Sequence, residues 1–159
     1  PLGTLRDKHF LLHPRERLLE IYSRALSDSE ISAISNAGSA GKCKVETVGI
    51  DIKPGSFPNS INLGSGGTVP VAIFSTADFD ATTVDPTTVT LASAPVKLKG
   101  QGTPMASSED VNGDRLLDLV VHVSTEALQL SETDTEAVLE GQTFDGTRIR
   151  GVDTVRVVP

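Results

Sequence analysis

Short apolar runs separated by turn-forming residues dominate the chain from Val45 onward. Val, Ile and Thr recur in these runs and favour extended backbone, while Gly, Pro and Asp fall between them. An Asp145-Gly146 pair is a strong hairpin signal, and Pro70 is expected near a strand start, where a missing N–H does least harm. The pattern predicts strands over residues 45–52, 69–74, 89–91, 96–98, 117–123, 135–141 and 154–158. Short strands at this spacing predict a mainly β fold, an antiparallel β-sandwich.

Residues 1–36 have a different character, rich in Leu, Arg, Glu and His. A run over residues 18–22 suits a strand, and Ser27 with Glu30 forms a capping-box pattern that predicts one short helix. Residues 37–44, which open with Ala, Gly and Ser, are typical of a linker. We therefore expect an N-terminal strand and helix segment (1–36), a linker (37–44) and a β-sandwich domain (45–159).

Composition excludes several classes of partner. The net charge of -7 repels phosphate backbones, so we expect no nucleic-acid partner. No run approaches the roughly 18 apolar residues of a membrane-spanning helix, so no membrane span is predicted. Aromatic residues make up only 4% of the chain, which leaves few side chains for a sugar-binding platform. The chain begins with Pro1, and we expect this terminus to arise from processing or cloning.

The strongest local signal for chemistry is an acidic loop over residues 110–118. Oxygen-bearing side chains occupy its first, third, fifth and ninth positions, a spacing that suits the six to eight oxygen ligands of Ca²⁺. We predict Ca²⁺ as the cofactor, held by the side chains of Asp110, Asn112 and Asp114, the Leu116 carbonyl, and Asp118 directly or through water. The alternative is an acidic turn without a metal, because Asp, Asn and Gly are common turn residues.

Two departures weaken this loop as a calcium site. Arg115 stands at the sixth position, where such loops normally carry Gly, and costs on the order of 1 kcal/mol if its φ is positive. Val121 stands at the twelfth, so a bidentate Glu is missing. We expect weak affinity, roughly 10⁻⁴–10⁻³ M, which suits extracellular calcium.

A longer segment resembles a known domain type of secreted bacterial multidomain proteins. Its opening signature is Ile50-Asp51-Ile52-Lys53-Pro54-Gly55-Ser56-Phe57-Pro58-Asn59-Ser60-Ile61-Asn62. Further matches are residues 69–73, 79–86, the acidic loop, 134–137 and 144–147, so that the resemblance covers about residues 45–158. The resemblance implies an extracellular, calcium-binding, Ig-like β-sandwich without known enzymatic activity.

The first region is similar to something else. Residues 19–31 resemble the closing strand and helix of laminin-G-like, concanavalin-A-like domains, which need well over 100 residues. Their lectin or glycosidase functions therefore do not carry over to a segment of 36 residues. A lone strand cannot satisfy its own backbone, so it either folds back or adds to a sheet of a neighbouring copy. The second arrangement predicts a homo-oligomer or filament joined head-to-tail through residues 18–36, with 18–26 as the donated strand.

An enzyme is not expected. His9 and His13 are followed by Pro14, which argues against a metal-binding helix, and His122 is expected on the opposite strand face from its Val neighbours. No nucleophile elbow, phosphate loop or dinucleotide fingerprint is present. Cys43 is the single cysteine and is free, buried or joined to another molecule.

Two functions remain open at this point. The first is a non-enzymatic structural module of an extracellular or cell-surface assembly, stabilised by calcium. The alternative is a carbohydrate- or cell-surface-binding adhesion module, possible if exposed aromatic side chains face a glycan. Phe57, in a Pro-rich loop, is the best candidate for such a contact. No Asn lies in a glycosylation sequence, and O-linked sugars on residues 82–90 stay open.

Overall fold

The computed structural model describes residues 27–29 and 45–158 of the 159-residue chain. The chain divides into two units between Lys42 and Cys43. The described part of the second unit contains eleven strands: β1 (Val45–Thr47), β2 (Ile50–Ile52), β3 (Ser60–Asn62), β4 (Thr68–Ile73), β5 (Thr90–Leu91), β6 (Ala94–Pro95), β7 (Ala106–Glu109), β8 (Asp118–Ser124), β9 (Glu136–Gln142), β10 (Arg148–Thr154) and β11 (Arg156–Val158). Two single-turn 3-10 helices, Ala81–Thr83 and Thr125–Ala127, complete the described elements of this unit.

The strands form three sheets. A five-stranded sheet has the order β1-β10-β9-β5-β6, a four-stranded sheet has the order β2-β4-β8-β7, and β11 pairs with β3. Neighbouring strands are antiparallel except for β1 with β10 and β3 with β11, which are parallel. The prediction of a mainly β fold with antiparallel sheets is therefore confirmed.

One apolar cluster lies between the two larger sheets. Inward-facing residues alternate along β4 and β8, as a half-buried strand requires, and meet those of β9 and β10. The cluster is closed by side chains from β2, β3 and β5. Its largest fully buried members are Ile52, Ile61, Val71, Ile73, Val84, Val89, Leu91, Val121, Val123, Leu139 and Ile149. Burial of these side chains is the main term that stabilises the unit.

The predicted strand over 45–52 is two strands in different sheets. β1 pairs with β10 and β2 pairs with β4, so the chain passes from one sheet to the other at Val48 and Gly49. The Val48 N–H donates to Arg150, and the Gly49 carbonyl accepts from Phe74. The apolar pattern continues through this crossing, because both sheets bury side chains in the same core.

Two turns next to these strands have residues with positive φ. After β2 the chain turns at Lys53 and Gly55, with φ of 59° and 80°. Between β9 and β10, Gly146 has a φ of 89°, as the Asp-Gly signal predicts. In the same turn, hydrogen bonds from the Thr143 hydroxyl and from Thr147 hold the pKa of Asp145 below its usual range.

Pro70 lies third in β4, a strand between β2 and β8. Its carbonyl accepts from the Lys53 N–H at 2.8 Å, so its nitrogen faces the same side, towards Lys53. The Lys53 carbonyl, the acceptor that an N–H at position 70 would reach, accepts the Ser56 N–H at 2.9 Å instead, so the missing proline N–H leaves no acceptor unpaired.

Four strands have no counterpart in the sequence prediction, and one of them is the two-residue β6. β3 and β7 are short and polar, and β10 alternates charged residues with Ile149 and Gly151. The predicted strand over 154–158 is divided between the end of β10 and β11, with Val155 between them. The predicted strand over 96–98 contributes only isolated bridges at Val96 and Leu98.

Of the N-terminal prediction, only residues 27–29 lie in the described part. Asp28 and Ser29 are helical and Ser27 directly precedes them, which is the N-cap position that the sequence predicts. Glu30, the strand over 18–22, Cys43, His9 and His13 lie outside the described residues. Within the described ranges, no helix is long and apolar enough to span a bilayer.

Candidate metal centre

The acidic loop connects the edge strand β7 to the central strand β8. Glu109 and Asp118 are the last paired residues of the two strands. Residues 110–117 therefore form the loop that connects β7 to β8 at this end of the sheet. The side chains of Asp110, Asn112 and Asp114 are exposed, whereas that of Asp118 is fully buried. The five predicted ligands therefore divide into an exposed group and one interior carboxylate.

Asp110 organises the loop from its first position. Its Oδ1 accepts the Gly113 N–H at 2.7 Å, and its Oδ2 accepts the Arg115 N–H at 2.9 Å. Both carboxylate oxygens thus face the backbone that curls around them. Each oxygen keeps a second lone-pair position for another partner.

Asn112 and Asp114 continue the same arrangement. Asn112 Oδ1 accepts the Asp114 N–H at 2.9 Å, and Asp114 Oδ1 accepts the Leu116 N–H at 2.8 Å. The Asn112 Nδ2 donates to Asp114 Oδ2 at 3.1 Å, which joins the two side chains. These contacts gather three oxygen-bearing side chains over a single tight turn.

Arg115 has the left-handed backbone that the loop requires of its sixth position. Its φ is 73°, and that of Gly113 is 82°. The backbone strain expected for a positive φ at Arg115 is therefore present. A non-Gly residue in this conformation loses on the order of 1 kcal/mol of stability. In this conformation the Arg115 N–H points at the Asp110 carboxylate and donates a hydrogen bond to it.

Asp118 has a structural task that the sequence did not reveal. Its Oδ1 accepts the Ser75 N–H and its Oδ2 accepts the Val111 N–H, each at 2.9 Å. Ser75 in turn donates its hydroxyl to the Leu117 carbonyl at 2.7 Å and accepts the Ala81 N–H at 2.8 Å. The carboxylate therefore joins the acidic loop to the segment after β4, 43 residues earlier in the chain. Only this long-range contact identifies Ser75 as a partner.

The donor chemistry of the loop fits a hard cation, because every candidate atom is a carboxylate, amide or carbonyl oxygen. In the described ranges, however, no three His, Cys, Asp or Glu side chains form a group that could hold a metal ion. The fit therefore rests on Asp110 and Asp114 with the amide oxygen of Asn112. The ligand roles of Asp118 and of the Leu116 carbonyl stay predictions.

Two further side chains from the sequence analysis can be placed. His122 lies on β8 between the buried Val121 and Val123 and is half-buried on the opposite face, as predicted. Phe57 is 91% exposed, which confirms it as the most accessible of the aromatic candidates in the described residues. It borders a cleft with Phe74, which follows β4 and is half-buried against Gly49.

Comparisons with known proteins add a distant likeness. No protein-family model matches the chain, and no curated protein matches it. A solved structure of a 1.5-MDa bacterial ice-binding adhesin, described in connection with host cell surface retention, is similar with 25% sequence identity and a TM-score of 0.35. The similarity covers 71% of this chain and 32% of that one, so this chain spans about a third of its length. A TM-score of this size does not establish a common fold.

Proposed function

We propose that this protein is a non-enzymatic extracellular structural module that calcium stabilises. The observation that carries the proposal is the hydrogen-bonded loop of Asp110, Asn112 and Asp114, built from oxygen donors at alternate positions. No nucleophile, phosphate-binding or dinucleotide-binding motif accompanies the loop in the sequence. A role in stability therefore explains the acidic loop better than a catalytic role does.

The residues of the loop have different roles in the proposed cation site. Asp110 and Asp114 supply negative charge, and Asn112 supplies a neutral oxygen between them. Asp118 anchors the loop to the sheet from inside through Ser75 and Val111. Bound calcium would neutralise carboxylates that otherwise repel each other, so the folded state gains stability from the ion.

Calcium is expected to raise the melting temperature, and Asp114→Ala should abolish most of this response. Binding to the folded state adds about 2.7 kcal/mol at a calcium concentration 100 times Kd. For a domain of this size that corresponds to a rise on the order of 10 °C. Calorimetry with calcium and with a chelator measures the difference for both proteins. A melting curve of the native chain that ignores both calcium and chelator would refute the proposal.

Arg115→Gly is the matched variant for that experiment. Glycine removes the strain of positive φ at this position without touching a carboxylate. The variant should melt slightly higher than the native chain in chelator and should retain the calcium response. Loss of the response in Arg115→Gly would show that the guanidinium, not the loop oxygens, mediates the effect of calcium.

The assembly part of the proposal concerns the N-terminal segment. We propose that residues 18–36 dock on a neighbouring copy, which joins subunits head-to-tail as a surface filament. The chain divides into two compact units between Lys42 and Cys43, which supports the expectation that the β unit folds without the segment.

Deleting residues 1–36 is expected to yield monomers that keep the β fold, whereas the full chain forms larger species as its concentration rises. Light scattering coupled to size exclusion measures the mass, and circular dichroism checks the fold. Ile21→Asp, inside the proposed donor strand, should reproduce the effect of the deletion. A full chain that stays monomeric at high concentration, or a deletion that unfolds the β unit, would overturn the filament.

One observation favours a second function, binding of a glycan on a cell surface. Phe57 presents a nearly free ring, and such a ring is suited to stack on a sugar. Retention on polysaccharide columns that disappears in Phe57→Ala would favour the adhesion module over the purely structural one.

A further inference from the structure

A second group of oxygen atoms lies in a cleft that contains no residue of the acidic loop. Asp51, Asn59 and Asp153 all line this cleft, which Gly55 and Phe57 border on one side. Asp51 is the central residue of β2, and its side chain points away from the core because Ile50 and Ile52 point into it. The cleft joins one edge of the four-stranded sheet to the end of β10.

Asp153 is held in one orientation by backbone and side-chain donors. Its Oδ2 accepts the Ile52 N–H at 2.8 Å and the Asn59 Nδ2 at 3.0 Å. Its Oδ1 accepts the Thr154 N–H at 2.7 Å. The Asp153 carboxylate is therefore held in one orientation in the lining of the cleft, and its oxygens keep lone pairs for another partner.

The carboxyl group of Asp51 experiences that negative charge. Burial raises the pKa of Asp51 above its usual range, the charge of Asp153 raises it further, and a hydrogen bond from the Gly55 N–H opposes both. No cationic side chain of the described residues contributes to this balance. Lys53, the nearest lysine in sequence, donates its Nζ to the Ser60 carbonyl at 2.7 Å instead. The repulsion between the two carboxylates is thus not offset by a described side chain.

An independent observation at Asn59 is a buried acceptor without a hydrogen-bond partner. Asn59 is 5% exposed, and its Oδ1 is buried without a hydrogen-bond donor. The orientation of the amide is determined, because Nδ2 donates to two acceptors, Asp153 Oδ2 and the Thr154 carbonyl at 2.9 Å. Asn59 lines the same cleft as Asp51 and Asp153. A buried unpaired acceptor is costly and calls for an ion, a water or a donor.

We propose that Asp51, Asp153 and Asn59 Oδ1 form a second site for a hard divalent cation, with Ca²⁺ as the matching ion. All three donors are oxygens, two of them carry charge, and the third has no other partner. Three protein donors leave several positions for water, so the affinity lies in the millimolar range or weaker. The site shares no residue with the acidic loop and stands whether or not that loop binds calcium.

Calcium titration of the full-length, isotope-labelled chain tests the site directly by amide chemical shifts. We titrate calcium to about 20 mM, which is well above the dissociation constants of weak extracellular sites. Over this range we expect saturable amide shifts at Asp51, Gly55, Asn59 and Asp153. Asp51→Asn should weaken calcium binding at this site, with at least about a tenfold rise in apparent Kd. It should also melt higher than the native chain in chelator, because the repulsion from Asp153 is removed.

Two variants separate this site from the acidic loop. Asp114→Ala should leave the shifts around Asp51 unchanged, and Glu132→Gln, an exposed carboxylate elsewhere, should leave both groups of shifts unchanged. Absence of saturable shifts at Asp51 and Asn59 in the native chain overturns the second site, even if the loop responds. Shifts that persist with unchanged affinity in Asp51→Asn overturn it as well.

Discussion

Asp118→Ala is expected to destabilise the protein by about 4 kcal/mol even when no calcium is present. The substitution leaves the Ser75 and Val111 N–H groups without their acceptor, and each unsatisfied buried donor costs about 1–3 kcal/mol. The vacated volume adds to the loss, since the Asp118 side chain is fully buried. Urea unfolding in chelator, followed by circular dichroism, measures the difference from the native chain.

Two variants calibrate this result. Asp118→Asn keeps one acceptor oxygen and should lose about half as much stability. Asp114→Ala, an exposed position in the same loop, should lose less than about 1 kcal/mol in chelator. If Asp118→Ala is no more harmful than Asp114→Ala without calcium, then Asp118 acts only through the ion and its structural role is refuted.

Gly151→Ala is expected to destabilise the fold by about 3 kcal/mol through overpacking. A Cβ at Gly151 would lie 2.6 Å from Ile50 Cγ2 and 3.1 Å from the Val48 carbonyl oxygen. The backbone cannot move away cheaply, because the Val48 N–H is bonded to Arg150 next to it. This glycine is the place where β10 passes the crossing between β1 and β2. The change in unfolding free energy in urea measures the cost.

Gly100→Ala is the matched control, because a Cβ there meets no atom within 4 Å. It should change stability by less than about 0.5 kcal/mol. The double variant Gly151→Ala with Ile50→Ala should show a favourable coupling, since the nearest clashing methyl is removed. Equal effects of the two glycine substitutions would contradict the steric explanation.

The acidic loop could be recognised in the sequence as a tight turn because its signal is local. Oxygen-bearing residues at alternate positions, followed by the apolar run of β8, determine a tight turn at a strand end whatever the rest of the chain does. The sequence position of Arg115 also predicted backbone strain if its φ is positive, and its φ is 73°. Whether this loop takes up calcium stays a prediction.

The partners of the polar side chains were beyond the reach of such local patterns. Ser75 and Asp118 are 43 residues apart, and Asn59 and Asp153 are 94 residues apart. Nothing in the spacing near Asp118 distinguishes a surface ligand from an interior anchor. Only the packing of β8 against the segment after β4 buries this carboxylate.

By itself, the sequence determined the β class, most of the strands and the turns between them, because alternation, β-branched residues and Asp-Gly pairs act over a few residues. The tertiary structure decided which strands pair, and it formed β10 from a charged segment that local propensity does not favour. β10 is stabilised by its ladder with β9 and by the close passage at Gly151. Pairing and burial depend on contacts between distant segments, whose free energy exists only once the core has assembled.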